Sequence, residues 1–102
     1  MVIYHKLVRD KIPDLIRNQG EQPVIRILDD GEYTDCLEAK LEEEVKEYLS
    51  DKNIEELADI LEVVFALGEN LGASRQMLMD ACQKKHEERG GFSERIFLVS
   101  KE

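Results

Sequence analysis

Residues Leu41 to Glu62, LEEEVKEYLSDKNIEELADILE, decide how the rest of the chain is read. One phrase occurs there twice: Glu44-Val45-Lys46-Glu47-Tyr48-Leu49 is answered by Glu56-Leu57-Ala58-Asp59-Ile60-Leu61. Each copy sets two acids three positions apart among apolar residues, and helical residues three apart are surface neighbours. Between the copies lies Asp51-Lys52-Asn53, and so short a connection favours an antiparallel helix pair. The stretch therefore predicts a helical hairpin, one arm over roughly Gly31 to Ser50 and the other over Asn53 to Leu71.

Working outward, Gly72 is a C-terminal stop, Ser74 caps a third long helix running to Arg89, and Gly90-Gly91 ends it. On the N-terminal side, Met1 to Tyr4 reads as a short extended arm. Asp10 is an N-cap candidate for a short helix with Pro13 in its first turn, where amide donors have no helical partner. Ile12, Leu15 and Ile16 share one face of that helix, and Gly20 ends it. Val24-Ile25-Arg26-Ile27-Leu28 and Arg95-Ile96-Phe97-Leu98-Val99 are rich in β-branched residues and read as strands; the expected arrangement pairs them as a ribbon beside the helices. The fold class is mainly α: a small helical bundle whose antiparallel hairpin carries the acids, with a minor two-stranded β element.

Composition narrows the function classes. The chain has 102 residues, which fits one domain over 1–102 with a modest core. Charged residues make up 36%, and 23 acids against 14 lysines and arginines give a formal charge of -9. A protein that binds nucleic-acid backbones should be basic, so a nucleic-acid polymer is not an expected partner. No signal peptide or membrane span is legible; the longest clear apolar run, Val63 to Leu67, is far too short to cross a bilayer. Cys36 and Cys82 form no disulfide framework or zinc motif, and the expectation is two reduced, partly buried thiols in a cytoplasmic protein.

Acids on helices usually face water, so their position around the axis is what matters. At about 100° per residue, Leu37, Leu41, Val45 and Tyr48 fall within an arc of about 80°. Glu44 lies about 20° from Leu37, at the edge of that arc, and Glu47 about 60° further round. On the next helix Leu57, Ile60, Leu61, Val64 and Leu67 form a wide apolar face, with Glu56 inside it and Asp59 about 40° beyond Val63. Glu42, Glu43, Glu55 and Glu62 project to the polar sides. Folded about the Asp51–Lys52 turn, Glu47 comes level with Glu56 and Glu44 with Asp59. Four carboxylates in a half-apolar seam cannot all stay ionised without a counter-charge. An oxygen-only donor set without His or Cys suits a hard divalent cation, Mg²⁺ or Mn²⁺, making Glu44, Glu47, Glu56 and Asp59 the expected metal ligands. The alternative is that Glu44 and Glu56 flank the core with stems buried and heads in water.

The run Glu43-Glu44-Val45-Lys46-Glu47, followed by Glu56-Leu57-Ala58-Asp59, resembles the EExxE…ExxD signature of the all-α nucleoside triphosphate pyrophosphohydrolases. Lys6-Leu7-Val8-Arg9-Asp10-Lys11-Ile12-Pro13 and Arg89-Gly90-Gly91-Phe92 resemble a small MazG-like, phosphoribosyl-ATP-pyrophosphohydrolase-like branch of that superfamily. The spacer between the acid pairs is at the short end for it. The resemblance implies a MazG-like bundle and Mg²⁺-dependent hydrolysis between the α- and β-phosphates of a nucleotide, releasing a monophosphate and pyrophosphate. It also implies that Glu44, Glu47, Glu56 and Asp59 are metal ligands, and that the protein is a homodimer or dimer of dimers. A carboxylate not fully engaged by metal can accept the proton of the attacking water; the candidates are Glu47 and Glu43.

A triphosphate needs cations beyond the metal. Lys84, Lys85 and Arg89 are the substrate-phosphate candidates, with Gln83-Lys84-Lys85…Arg89 resembling the superfamily's Asn-x-Lys…Arg pattern, Gln standing for Asn. The other reading of these cations is that they complement a helix C-terminus. For Lys6, Arg9 and Lys11 the favoured reading is a surface role or pairing with the acidic hairpin. His5 and His86 read as surface residues, Phe92, Phe97 and Tyr33 as core or interface, and Asp80 as a minor site candidate. The competing functional class is a catalytically silent helical binding or regulatory module that keeps the fold.

Overall fold

The computed structural model describes residues 2–102, so Met1, the first residue of the expected arm, lies outside it. Four helices follow one another: α1 (Ile12–Asn18), α2 (Asp30–Asp51), α3 (Ile54–Asn70) and α4 (Arg75–Arg89). Each long helix starts on a side-chain cap. The Asp29 carboxylate accepts from the Glu32 amide while the Glu32 side chain reaches back to the Asp29 amide, a capping box. Asn53 accepts from the Glu56 amide and Ser74 from the Met77 amide. The helix expected from Gly31 thus begins one residue earlier, at Asp30, because Asp29 supplies the cap.

The hairpin turn is as short as the sequence demands. Lys52 adopts the left-handed conformation (φ 52°) immediately after α2, and Asn53 already caps α3. The two arms pack along their length. At the end remote from the turn, Asn70 Nδ2 donates to Thr34 Oγ1 at 2.9 Å, pinning the last turn of α3 to the first of α2. α4 leans on the C-terminal part of α3. There Gly68 is buried, and a Cβ on it would lie 3.3 Å from Leu78 Cδ2; the Arg75 guanidinium sits 4.1 Å from the centre of the Phe65 ring.

Several expectations are corrected. Among the described residues there is no strand: Val24–Leu28 and Arg95–Val99 do not form a ribbon. An isolated pair of strands is marginal without a third partner or a covering helix, and nothing covers these, with Val24 97% and Phe97 87% exposed. The cap of α1 is Lys11, not Asp10, and it makes no side-chain capping bond. Phe92 and Phe97 are exposed rather than core, and Cys82 is exposed, while Cys36 is half-buried. Tyr33 is half-buried.

The core is slight. Leu37 and Val63 are its only buried large apolar residues among those described, one from each hairpin arm, and no side chain among them is completely buried. α1 packs against none of the other helices. The molecule is correspondingly long, 61 × 31 × 23 Å, with a radius of gyration of 17.9 Å. Among the described residues no helix is long and apolar enough to cross a membrane.

Candidate metal centre

Two helical turns build the centre. Glu44 and Glu47 leave α2 on one side of the seam, and Glu56 and Asp59 leave the first turns of α3 on the other. One carboxylate oxygen from each lies within 4.8 Å of all the others. The register expected from the sequence is therefore realised: acids paired by the hairpin converge on one point. This donor group can hold a metal ion.

Its electrostatics are those of a site short of positive charge. Glu44 is 6% exposed, deeper than its place at the edge of an apolar arc suggested: Leu37 and Glu44 are buried, while Leu41 is half-buried and Val45 exposed. Its Oε1 meets the Lys40 ammonium at 3.3 Å. Its Oε2 is buried without a hydrogen-bond partner, as is Oε2 of Glu56. Burial pushes the Glu44 carboxyl above its ordinary range, and the nearby Glu47 carboxylate adds to this while Lys40 opposes it. Glu56 is raised too, first by burial and then by the negative charges of Asp51 and Asp59. A buried acceptor without a donor is costly, and two such oxygens on acids of one cluster are acceptors that a bound cation would satisfy. The reading of Glu44 and Glu56 as acids with their heads in water does not fit these oxygens.

The N-terminal arm closes one side. Leu7 to Asp10 and the two hairpin helices enclose a cavity of about 220 Å³, onto which Glu44 and Asp59 open. Arg9 Nη1 donates to Asp59 Oδ1 at 3.4 Å, and its other terminal nitrogen lies 3.8 Å from Glu62. Lys6 approaches Glu43 at 3.6 Å. Lys6 and Arg9 therefore do pair with the acidic hairpin, as the sequence favoured.

Two residues of the neighbourhood, Glu62 and Lys40, escaped the sequence reading. Glu62, assigned to the polar side, lines the cavity and pairs with Arg9. Glu43, which projects away from the quartet, is clasped by Lys6 at one oxygen and Lys40 at the other, the latter at 3.3 Å. Lys40 itself was missed, although it stands three and four positions before Glu43 and Glu44, the spacing of helical ion pairs. Lys84, Lys85 and Arg89 are exposed on α4; among the described residues none of them forms an ion pair or lines the cavity beside the quartet. Asp80 accepts from Gln76 on its own helix.

No family model matches the chain, and no solved structure matches it. Over 42 residues it is 62% identical to an uncharacterized protein of Mycolicibacterium smegmatis (strain ATCC 700084 / mc(2)155). That segment is 41% of this chain and 43% of the relative, so the chain matches less than half of the relative's length.

Proposed function

We propose that this chain is a Mg²⁺-dependent nucleoside triphosphate pyrophosphohydrolase of the MazG-like, phosphoribosyl-ATP-pyrophosphohydrolase-like kind. It cleaves between the α- and β-phosphates to give a nucleoside monophosphate and pyrophosphate, in nucleotide house-cleaning or metabolism. The observation that carries this reading is the convergence of Glu44, Glu47, Glu56 and Asp59 within 4.8 Å, with two buried carboxylate oxygens lacking any partner. An all-oxygen donor set favours a hard divalent cation, Mg²⁺ with Mn²⁺ as a substitute. Such a cation, when bound, neutralises phosphate oxygens and lowers the pKa of water.

The chain's own residues supply the rest. Glu44, Glu47, Glu56 and Asp59 would hold the cation, and binding it would relieve the unpartnered oxygens of Glu44 and Glu56. A general base needs a free lone pair within reach of the water. Both Glu43 oxygens already face lysine ammoniums, whereas Glu47 forms no ion pair among the described residues, so Glu47 is the stronger of the two candidates. Lys84, Lys85 and Arg89 would act on phosphates from a second copy, across the interface of a homodimer or dimer of dimers in the cytoplasm.

The test is turnover of a panel of NTPs and dNTPs with Mg²⁺. Monophosphate and pyrophosphate are the expected products. Inorganic phosphate with nucleoside diphosphate would contradict the cleavage position, and no turnover of any nucleotide would favour a silent helical binding module.

A further inference from the structure

The cavity beside the quartet carries two protein cations. Arg9 from the arm and Lys40 from α2 open onto the same space as Glu44, Asp59 and Glu62. Two of the four carboxylates that converge are thus already met by a protein cation: Asp59 by Arg9 at 3.4 Å and Glu44 by Lys40 at 3.3 Å. Both contacts are long beside the roughly 2.7–2.9 Å of a strong charge-assisted hydrogen bond. The Arg9 side chain is 61% exposed. Its one protein hydrogen bond among the described residues leaves most of the guanidinium's donors uncommitted.

Each cation also has a second acid outside the quartet. Arg9 has Glu62 and Lys40 has Glu43. A protein cation that loses its quartet partner therefore stays tethered at the rim of the cavity. We propose that Arg9 and Lys40 are exchangeable counter-ions: they neutralise the carboxylates of the metal-free site and turn onto the oxygens of a polyphosphate chain once a divalent cation takes those carboxylates. This rests on the quartet being a divalent-cation site, and its ligand class is a linear polyphosphate, whether free or carried by a nucleotide. Charge drives the exchange. A divalent cation at the quartet repels Arg9 and Lys40 while the arriving polyphosphate attracts them, and the guanidinium fork matches phosphate oxygens two at a time. Glu62 acquires a role as the residue that keeps Arg9 in place during the exchange.

The experiment measures Mn²⁺ binding by calorimetry on the full chain and on Arg9→Gln, Arg9→Lys and Lys40→Gln. Tripolyphosphate binding to each Mn²⁺-saturated protein follows. Without anion, Arg9→Gln and Lys40→Gln should bind Mn²⁺ roughly five- to tenfold more tightly, because a like charge near the cation has been removed. With Mn²⁺ in place they should bind tripolyphosphate roughly tenfold or more weakly, having lost a charge-assisted donor. Arg9→Lys should keep the parental Mn²⁺ affinity and recover only part of the tripolyphosphate affinity. Opposite movement of the two affinities is what a merely structural role does not produce. Unchanged Mn²⁺ affinity in Arg9→Gln overturns the proposal, as does unchanged tripolyphosphate affinity or a fall in both. Arg9 is on an exposed arm, so the test stands even where Lys40→Gln fails to fold. Nucleotides left intact by a parent protein that shows the opposed affinities would remove the hydrolase reading and leave this one; turnover unaffected by Arg9→Gln would do the reverse.

Discussion

Glu44 carries the energetic tension of the molecule. It is an acid placed where Leu37 and Val63 supply the apolar surroundings, with one oxygen on Lys40 and the other on nothing. A cation that binds only the folded form stabilises it by linkage, so Mg²⁺ or Mn²⁺ should raise the melting temperature. Glu44→Gln combined with Asp59→Asn should abolish that rise; a double variant responding like the parent would place the ion elsewhere. The metal-free protein should respond to pH as well. The Glu44 and Glu56 carboxyls are raised above the ordinary 4.5 when folded, so the folded state holds protons that the unfolded chain has released. Stability from these groups is lowest above their folded values, grows as pH falls towards 4.5, and is complete below it. In chelator, Glu44→Gln should therefore melt higher than the parent at pH 7, and the gap should narrow by pH 4.5. A constant gap would show that burial of this charge is not what the substitution relieves.

At the scale of elements, the sequence disclosed most where periodicity and turn chemistry agreed. The hairpin, its register and the quartet were all legible, because the distance of each acid from the midpoint between Asp51 and Lys52 fixes what it meets across the seam. Lys40 was not legible as a member of the site. Its identity as a partner depends on which side of α2 is buried, and the burial centre lies on the Leu37–Glu44 line rather than along the more apolar Leu41–Val45 side. Arg9 pairs with residues fifty positions away, a contact that no local pattern specifies. The strands failed for a different reason. Val24–Leu28 and Arg95–Val99 have strand composition, but composition reports a preference for a pleated, half-buried surface, and this chain offers them none. Where α3 meets α4 the contact is close and specific. Gly68→Val would drive a side chain into Leu78, whose Cδ2 lies 3.3 Å from the position of a Cβ. Overpacking of this kind costs about 1–3 kcal/mol, read as a lowered denaturation midpoint, and Leu78→Ala in the same chain should recover part of it.

The whole molecule is too open for its length. A compact chain of this size has a radius of gyration of about 13 Å, against 17.9 Å here. Exposed apolar residues occur along the whole described chain, and one group of them belongs to the hairpin. Val45 and Leu49 on α2 and Ile54, Leu57 and Leu61 on α3 are exposed by 38% to 75%, and none of them lines the cavity beside the arm. Surfaces of this kind mark association sites, and two helical hairpins facing one another make a four-helix core. Sedimentation should give at least twice the 11.8 kDa of one chain, and Leu57→Glu with Leu61→Glu should return it to a monomer that scatters as an elongated particle. A parent protein that sediments as a single chain would leave these residues without a purpose.

The tight turn at Lys52 has a kinetic consequence. All four carboxylates belong to one continuous segment between Glu44 and Asp59, so the site closes a short loop, and short loops close at low entropic cost and high rate. The hairpin needs neither the arm nor the C-terminal tail to bring its acids together. An ion can therefore be captured while the rest of the chain is still unstructured, and refolding should accelerate when divalent cation is present from the start. Added later, the same cation would slow unfolding alone.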